Sequence, residues 1–214
     1  MYSVKEIFYT LQGEGAQSGS AAIFCRFSKC NLWSGRESDR SKALCTFCDT
    51  DFLGTNGQNG GEYSESDLVN LAISLVPPHI SLKNNPLLVV FTGGEPALQL
   101  TASLVDKFKD HGFRTAIETN GTLIVPSNLD WITVSPKAGT NLKQISGSEL
   151  KIVFPQMINP KEYEQLNFTN FYLSPMITQD ELQNKKNIDQ CVKFCLANPL
   201  WKLSYQNHKV WQID

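Results

Sequence analysis

The sequence predicts an α/β fold: an incomplete, TIM-like β/α barrel formed by residues 1–214 as a single domain, with one enlarged loop over about residues 29–61. Three observations carry that expectation. Strand-like runs alternate with amphipathic helical runs, the pattern of parallel β/α units. The C-terminal ends of the strand-like runs ("LQGEG", "CRFSKC", "FTGGEP", "IETNG", "TVSPK" and "YLSPM") are rich in glycine and polar residues, and parallel β/α folds keep their chemistry at those ends. Residues 29–61 hold Gly, Asn, Asp and Ser without a sustained period, and so long a loop in a compact domain is uncommon unless it is functional or liganded. No internal repeat, low-complexity tract or domain boundary interrupts the chain.

In order, "SVKEIFYTL" (3–11) and "AAIFCRFS" (21–28) are strands by their aromatic and β-branched content. "SESDLVNLAISLV" (64–76) is a helix with Leu68, Leu71, Ala72 and Leu75 on one face, capped by Ser64 and stopped by Pro77-Pro78. "LLVVFTGG" (87–94) is a buried strand ending in glycines, and 98–111 is a helix closed by Gly112. "FRTAIET" (113–119) is the next strand, followed by the turn pair Asn120-Gly121. "WITVS" (131–135), "ELKIVF" (149–154) and "NFYLS" (170–174) are further strands. Residues 179–197 form an amphipathic helix with Ile188, Cys191, Val192, Cys195 and Leu196 on one side. "WKLSYQ" (201–206) is the last strand, with His208 at the end of that run.

Composition narrows the classes. Hydrophobic content of 41% and charge of 19% describe a globular chain, and a net charge of -2 gives no basic field for nucleic acid. No apolar stretch approaches the ~20 residues of a membrane span. No basic-plus-apolar segment precedes the first strand, so no signal peptide is expected and the cytoplasm is the expected compartment. Six cysteines then favour thiol or metal chemistry over disulfides.

Three of them stand together. "KCNLWSGRESDRSKALCTFCDTD" (29–51) contains Cys30, Cys45 and Cys48, spaced C-x14-C-x2-C, with no fourth cysteine and no histidine nearby. A structural zinc and an ordinary iron–sulfur cluster each take four protein ligands. A four-iron cluster on three thiolates leaves one iron free for another ligand. The other motifs suggest which. "TGGEP" (92–96) offers glycines for close backbone approach and Glu95 for a cationic amine. "IETN" (117–120) offers a carboxylate suited to ribose hydroxyls, and "SPK" (135–137) a hydroxyl and a cation suited to a carboxylate. Amine, carboxylate and ribose together describe S-adenosylmethionine. The competing reading is a zinc-stabilised binding module whose fourth ligand is an Asp or a water. Cys25, alternating with Arg26, is expected in the core, Cys191 and Cys195 are expected to be buried free thiols, and His79 and His111 surface or helix-end residues.

"LQGEG" (11–15), "FCRFSKCNLW" (24–33), "CDTD" (48–51), "TGGEP", "ETNG" (118–121), "SPK" and "QNHK" (206–209) cover nearly the whole chain in order. With them the sequence resembles the radical S-adenosylmethionine superfamily, and within it the 7-carboxy-7-deazaguanine synthase family, in a branch with an enlarged cluster-binding loop. The resemblance implies conversion of 6-carboxy-5,6,7,8-tetrahydropterin to 7-carboxy-7-deazaguanine with loss of ammonia, on the route to queuosine-type tRNA bases. It implies a [4Fe-4S] cluster that cleaves S-adenosylmethionine to a 5′-deoxyadenosyl radical, hydrogen abstraction from C6 of the pterin, ring contraction and return of the hydrogen. It also implies Mg2+ on the substrate carboxylate, a reducing partner such as flavodoxin, and a homodimer.

By the same resemblance Cys30, Cys45 and Cys48 would hold the cluster. Phe47, Cys48, Asp49, Gly93, Gly94, Glu95, Glu118, Asn120, Ser135, Pro136 and Lys137 would hold S-adenosylmethionine, with Ser174 at a position where the family pattern has a longer polar side chain. Thr50 would bind magnesium. Leu11, Gln12, Gly13, Glu14, Arg26, Thr92 and His208 would contact the substrate, as would the α-carboxylate of Asp214. A glycyl-radical activating enzyme is a further alternative, although such sequences usually keep C-x3-C-x2-C.

Overall fold

Within the residues described by the computed structural model, 1–213, nine strands form one sheet in the order β3-β1-β2-β4-β5-β6-β7-β8-β9. They are β1 (Tyr2–Leu11), β2 (Ala21–Phe27), β3 (Gly61–Tyr63), β4 (Leu88–Gly93), β5 (Arg114–Thr119), β6 (Trp131–Val134), β7 (Ser146–Phe154), β8 (Asn167–Pro175) and β9 (Trp201–Leu203). The β1–β2 and β1–β3 pairs are antiparallel, and from β2 to β9 every pairing is parallel. The two edges do not pair, so the sheet is a partial barrel.

Three helices cover the outer face. α1 (Glu65–Leu75) starts where Ser64 accepts a hydrogen bond from the Asp67 N–H. α2 (Ala102–Asp110) starts where Thr101 accepts from Leu104. α3 (Glu181–Ala197) is capped by Asp180, which accepts from Leu182 and Gln183. Each cap satisfies N–H groups that the first helical turn leaves unpaired. α1 and α2 bury Leu68, Val69, Ala72, Leu104, Val105 and Phe108 against Val4, Ile7, Cys25, Phe27, Val89, Phe91 and Ile117 of the sheet. A second core joins Leu150, Ile152, Phe171, Leu173 and Trp201 to Cys191 of α3. The crossovers from β5 to β6 and from β6 to β7 contain no helix.

Several sequence expectations shift. β3 was not foreseen, because its three residues lie in a polar, glycine-rich stretch and only pairing with β1 makes them a strand. Residues 98–111 are not one helix: a 3-10 turn at Pro96–Leu98 precedes α2. Between them the Gln99 side chain accepts from the Ser3 N–H at 2.8 Å and donates to the Ser28 carbonyl at 2.8 Å, which ties that segment to the sheet. The buried face of α3 runs through Asn187, Cys191, Phe194 and Cys195, while Leu196 is 79% exposed and Val192 is exposed as well. Buried Asn187 is tolerated because it donates to the Met176 carbonyl at 2.7 Å and accepts from Gln183 at 2.8 Å. The last strand ends at Leu203, and His208 lies on a short helix, α4 (Asn207–Trp211), rather than on a strand.

Candidate functional site

Successive side chains on a strand point to opposite faces, and this sorts the chemistry. On β2, Cys25 and Phe27 face the outer core while Phe24 and Arg26 face the concave side; Phe91 and Thr92 divide the same way on β4, and Ile117 and Glu118 on β5. At the N-terminal ends of the strands the concave side is apolar: Ala22, Leu88, Val90 and Ala116 pack with Phe24 and Trp131 as a floor. At the C-terminal ends it is polar. There Arg26, Thr92, Glu118, Lys151 and Ser174 line a cavity of about 460 Å³, within the size range of small-molecule sites.

The long loop closes this cavity from above. Although it carries only a 3-10 turn (Glu37–Lys42), it folds around its own aromatic pair. Trp33 meets Phe52 edge-on at 5.5 Å, the Arg40 guanidinium lies 4.1 Å from the Trp33 ring, and Arg40 also donates to the carbonyls of Thr46 and Cys48 at 3.0 Å. Two ion pairs fasten the segment around Thr50: Lys5 to Asp51 and Lys209 of α4 to Asp49, each at 2.8 Å. Lys5 also donates to the Leu53 carbonyl at 3.1 Å and to Asn56 at 2.9 Å.

Cys30, Cys45 and Cys48 all line the cavity. Gly94 lets the "TGGEP" turn press against Cys30: a Cβ there would stand 2.9 Å from the Cys30 Cβ and would overlap the Lys29 carbonyl. The Cys45 thiol donates to Cys48, which lowers the Cys48 pKa to about 6 and raises that of Cys45. Burial raises the Cys30 thiol. Lys137, half-buried on the cavity wall, donates to the Ser135 carbonyl and hydroxyl at 2.7 Å. Burial lowers its pKa, with Cys45, Cys48 and Glu95 opposing that shift. Among the described residues no three Cys, His, Asp or Glu side chains form a single-ion site; Cys45 and Cys48 are in hydrogen-bond contact, and Cys30 lies near enough to act electrostatically on both.

Below them lies a group of buried charges. Lys151, 7% exposed, donates to Glu14 at 2.7 Å and to Glu118 at 2.9 Å. Gln12 donates to the other Glu118 oxygen at 3.3 Å, and Glu149 accepts from the Ala16 N–H at 2.9 Å. Burial raises the Glu118 carboxyl to about 7; Lys151 opposes this while Glu149 and Glu14 add to it. Burial works against the Lys151 charge, but Glu118, Glu14 and Glu149 outweigh it and hold the ammonium protonated.

The cavity therefore gathers Leu11, Gln12, Gly13, Glu14, Arg26, Cys30, Cys45, Phe47, Cys48, Asp49, Thr50, Thr92, Gly93, Gly94, Glu118, Asn120, Ser135, Lys137, Ser174 and His208. Two expected residues do not line it. Glu95 is fully buried, its carboxylate taken by the Ala97 N–H (2.9 Å), the Thr119 hydroxyl (2.7 Å) and the Asn120 N–H (2.8 Å). It braces the turn and holds Asn120, rather than presenting a free carboxylate. Pro136 lies between two lining residues without lining the cavity itself. Asp214 lies outside the described residues. Arg26 reaches the cavity already paired with Glu6 at 2.8 Å. Lys5, Glu6 and Lys151 also line the wall and were missed. For Lys151 a signal existed: a lysine between Leu150 and Ile152 in an apolar strand has its own face to fill.

No protein-family model matches the chain. It is 52% identical over 209 residues to the 7-carboxy-7-deazaguanine synthase of Caulobacter vibrioides and 50% identical over 209 residues to that of Nitratidesulfovibrio vulgaris, with 97% of both chains covered in each comparison. The synthase of Bacteroides thetaiotaomicron is 34% identical over 213 residues, which covers 100% of this chain and 99% of that one. In shape the chain is similar to the crystal structure of QueE from Escherichia coli, with a TM-score of 0.68 and 24% identity over 97% of this chain and 94% of that one, a likeness of fold alone. Identity of about one residue in two along nearly the full length of its relatives means that this chain belongs to the 7-carboxy-7-deazaguanine synthase family.

Proposed function

We propose that this chain is a radical S-adenosylmethionine lyase that converts 6-carboxy-5,6,7,8-tetrahydropterin to 7-carboxy-7-deazaguanine with loss of ammonia. The observation that carries the reading is convergence. Residues from β1, β2, the long loop, β4, β5, the segment after β6 and α4 match the family's motifs one by one, and they line one cavity.

The donor set suits the implied groups. Three cysteines line the cavity and no fourth joins them among the described residues, which suits a four-iron cluster that keeps one corner for another ligand. The Cys45–Cys48 hydrogen bond makes Cys48 the member of the pair that gives up its proton more readily. When bound, the cluster with S-adenosylmethionine supplies the radical chemistry; the chain supplies placement. Lys137, held against Ser135, is the cation for the cofactor carboxylate. Glu118 accepts from ribose hydroxyls, and Phe47 offers a ring face for the adenine. Arg26 sets its fork toward the substrate carboxylate, and the apolar floor beneath keeps bulk water from the lower face. Thr50, fixed between two ion-paired aspartates, offers a hard oxygen to magnesium. Flavodoxin-type reduction, a homodimer and a cytoplasmic location complete the proposal; no helix among the described residues is long and apolar enough to cross a membrane.

The test is anaerobic incubation with carboxytetrahydropterin, reductant and S-adenosylmethionine, followed by mass spectrometry. The expected product is 7-carboxy-7-deazaguanine, with S-adenosylmethionine not consumed in proportion. Recovery of unchanged pterin from cluster-loaded protein would defeat the proposal. A second expected result concerns Thr50→Val, which keeps the size and removes one oxygen. Stimulation of turnover by magnesium should fall several-fold with iron content unchanged; an unaltered magnesium titration would place the metal elsewhere.

A further inference from the structure

We propose that Lys151 is a positioning residue: its single ammonium, shared between Glu14 and Glu118, favours the ionised form of the Glu118 carboxylate and holds it aimed at the ribose of S-adenosylmethionine. This rests on the reading of Glu118 as the ribose-holding group and deepens it.

The geometry is specific. Lys151 occupies the middle of β7, where its neighbours Leu150 and Ile152 are fully buried on the opposite face. Its Nζ reaches Glu14 at 2.7 Å and Glu118 at 2.9 Å, so one cation joins the loop after β1 to the end of β5. Gln12 fixes the second Glu118 oxygen at 3.3 Å, leaving that carboxylate little freedom to turn. The charged groups facing this point come from every side: Glu149 on the same strand, Glu14 from the loop, His208 acting on Glu14 from α4, Lys137 on Lys151 from the segment after β6, and Lys202 on Glu149 from β9.

Three carboxylates thus surround one ammonium in a buried place. Burial and the two other carboxylates push Glu118 toward its neutral form, and Lys151 is the chief charge opposing them. An ionised carboxylate holds hydroxyl donors about twice as strongly as a neutral acceptor does. A neutral residue at 151 would remove the chief charge that counters Glu14 and Glu149 at Glu118. The carboxyl would then keep its proton near neutral pH, and a neutral carboxyl would face the ribose.

The experiment is anaerobic calorimetry of S-adenosylmethionine binding to cluster-loaded protein across pH 6–9, for wild type, Lys151→Met and Glu118→Gln. Wild-type affinity is expected to rise with pH through about 7, where Glu118 ionises, and then level. Lys151→Met is expected to move that midpoint up by a unit or more and to weaken binding near neutrality by roughly tenfold, with recovery at the alkaline end. Glu118→Gln is expected to bind weakly at every pH. Should Lys151→Met fail to fold, the pair Glu14→Gln and Glu14→Gln/Lys151→Met carries the same comparison with one buried charge of each sign removed. An unmoved midpoint without the lysine overturns the proposal while the ribose reading stands. Glu118→Gln binding as tightly as wild type removes the ribose reading and the proposal together.

Discussion

Cys45→Ala is expected to lose its iron–sulfur absorbance and to turn over substrate at background. Cys30→Ala and Cys48→Ala should do the same, because a cluster held by three thiolates cannot spare one and still keep a corner for S-adenosylmethionine. The control is Cys191→Ala. Cys191 of α3 is fully buried against the sheet, with its thiol toward the Phe154 carbonyl at the end of β7. Its loss should cost about 1 kcal/mol of packing and leave cluster and turnover intact. Iron and sulfide analysis beside turnover separates the two outcomes. A full cluster in Cys45→Ala, or cluster loss in Cys191→Ala, would overturn the assignment of the three thiols.

The second large effect is expected at Gly93. This residue ends β4 with φ of 124° and pairs with Phe27 of β2. A Cβ there would stand 2.6 Å from the Phe27 nitrogen and collide with the Phe27 carbonyl oxygen, and neither backbone atom can swing aside as a side chain would. Gly93→Ala therefore combines a disfavoured backbone conformation with overpacking between adjacent strands, roughly 3–5 kcal/mol in all. Gly139 isolates the first contribution: its φ is 75°, but nothing lies within 4 Å of the added carbon. Gly139→Ala should cost only about 1–2 kcal/mol. Urea denaturation of the two variants measures the difference. Equal losses would mean that the strands separate at little cost. Because Gly93 borders the cavity, a refolded Gly93→Ala protein should also bind S-adenosylmethionine poorly.

Local chemistry by itself determined much of this protein. Alternating strand and helix runs, Ser64 as a cap, and glycine-rich polar strand ends specified a partial β/α barrel and the end that holds its site. Cys30, Cys45 and Cys48 could be singled out because no fourth ligand accompanied them. These features are properties of neighbouring residues, and neighbours are what a sequence displays. Tertiary structure decided the rest. Three residues at Gly61–Tyr63 become a strand only because β1 offers an unpaired edge. Glu95 reads as a free carboxylate until Ala97, Thr119 and Asn120 surround it. Lys151 shows in the sequence only as a lysine inside an apolar strand; the register of β5, β6 and β7 and the loop after β1 bring three carboxylates around it. The energy of such a group depends on burial and on charges distant in the chain, and the folded sheet is what brings them into contact.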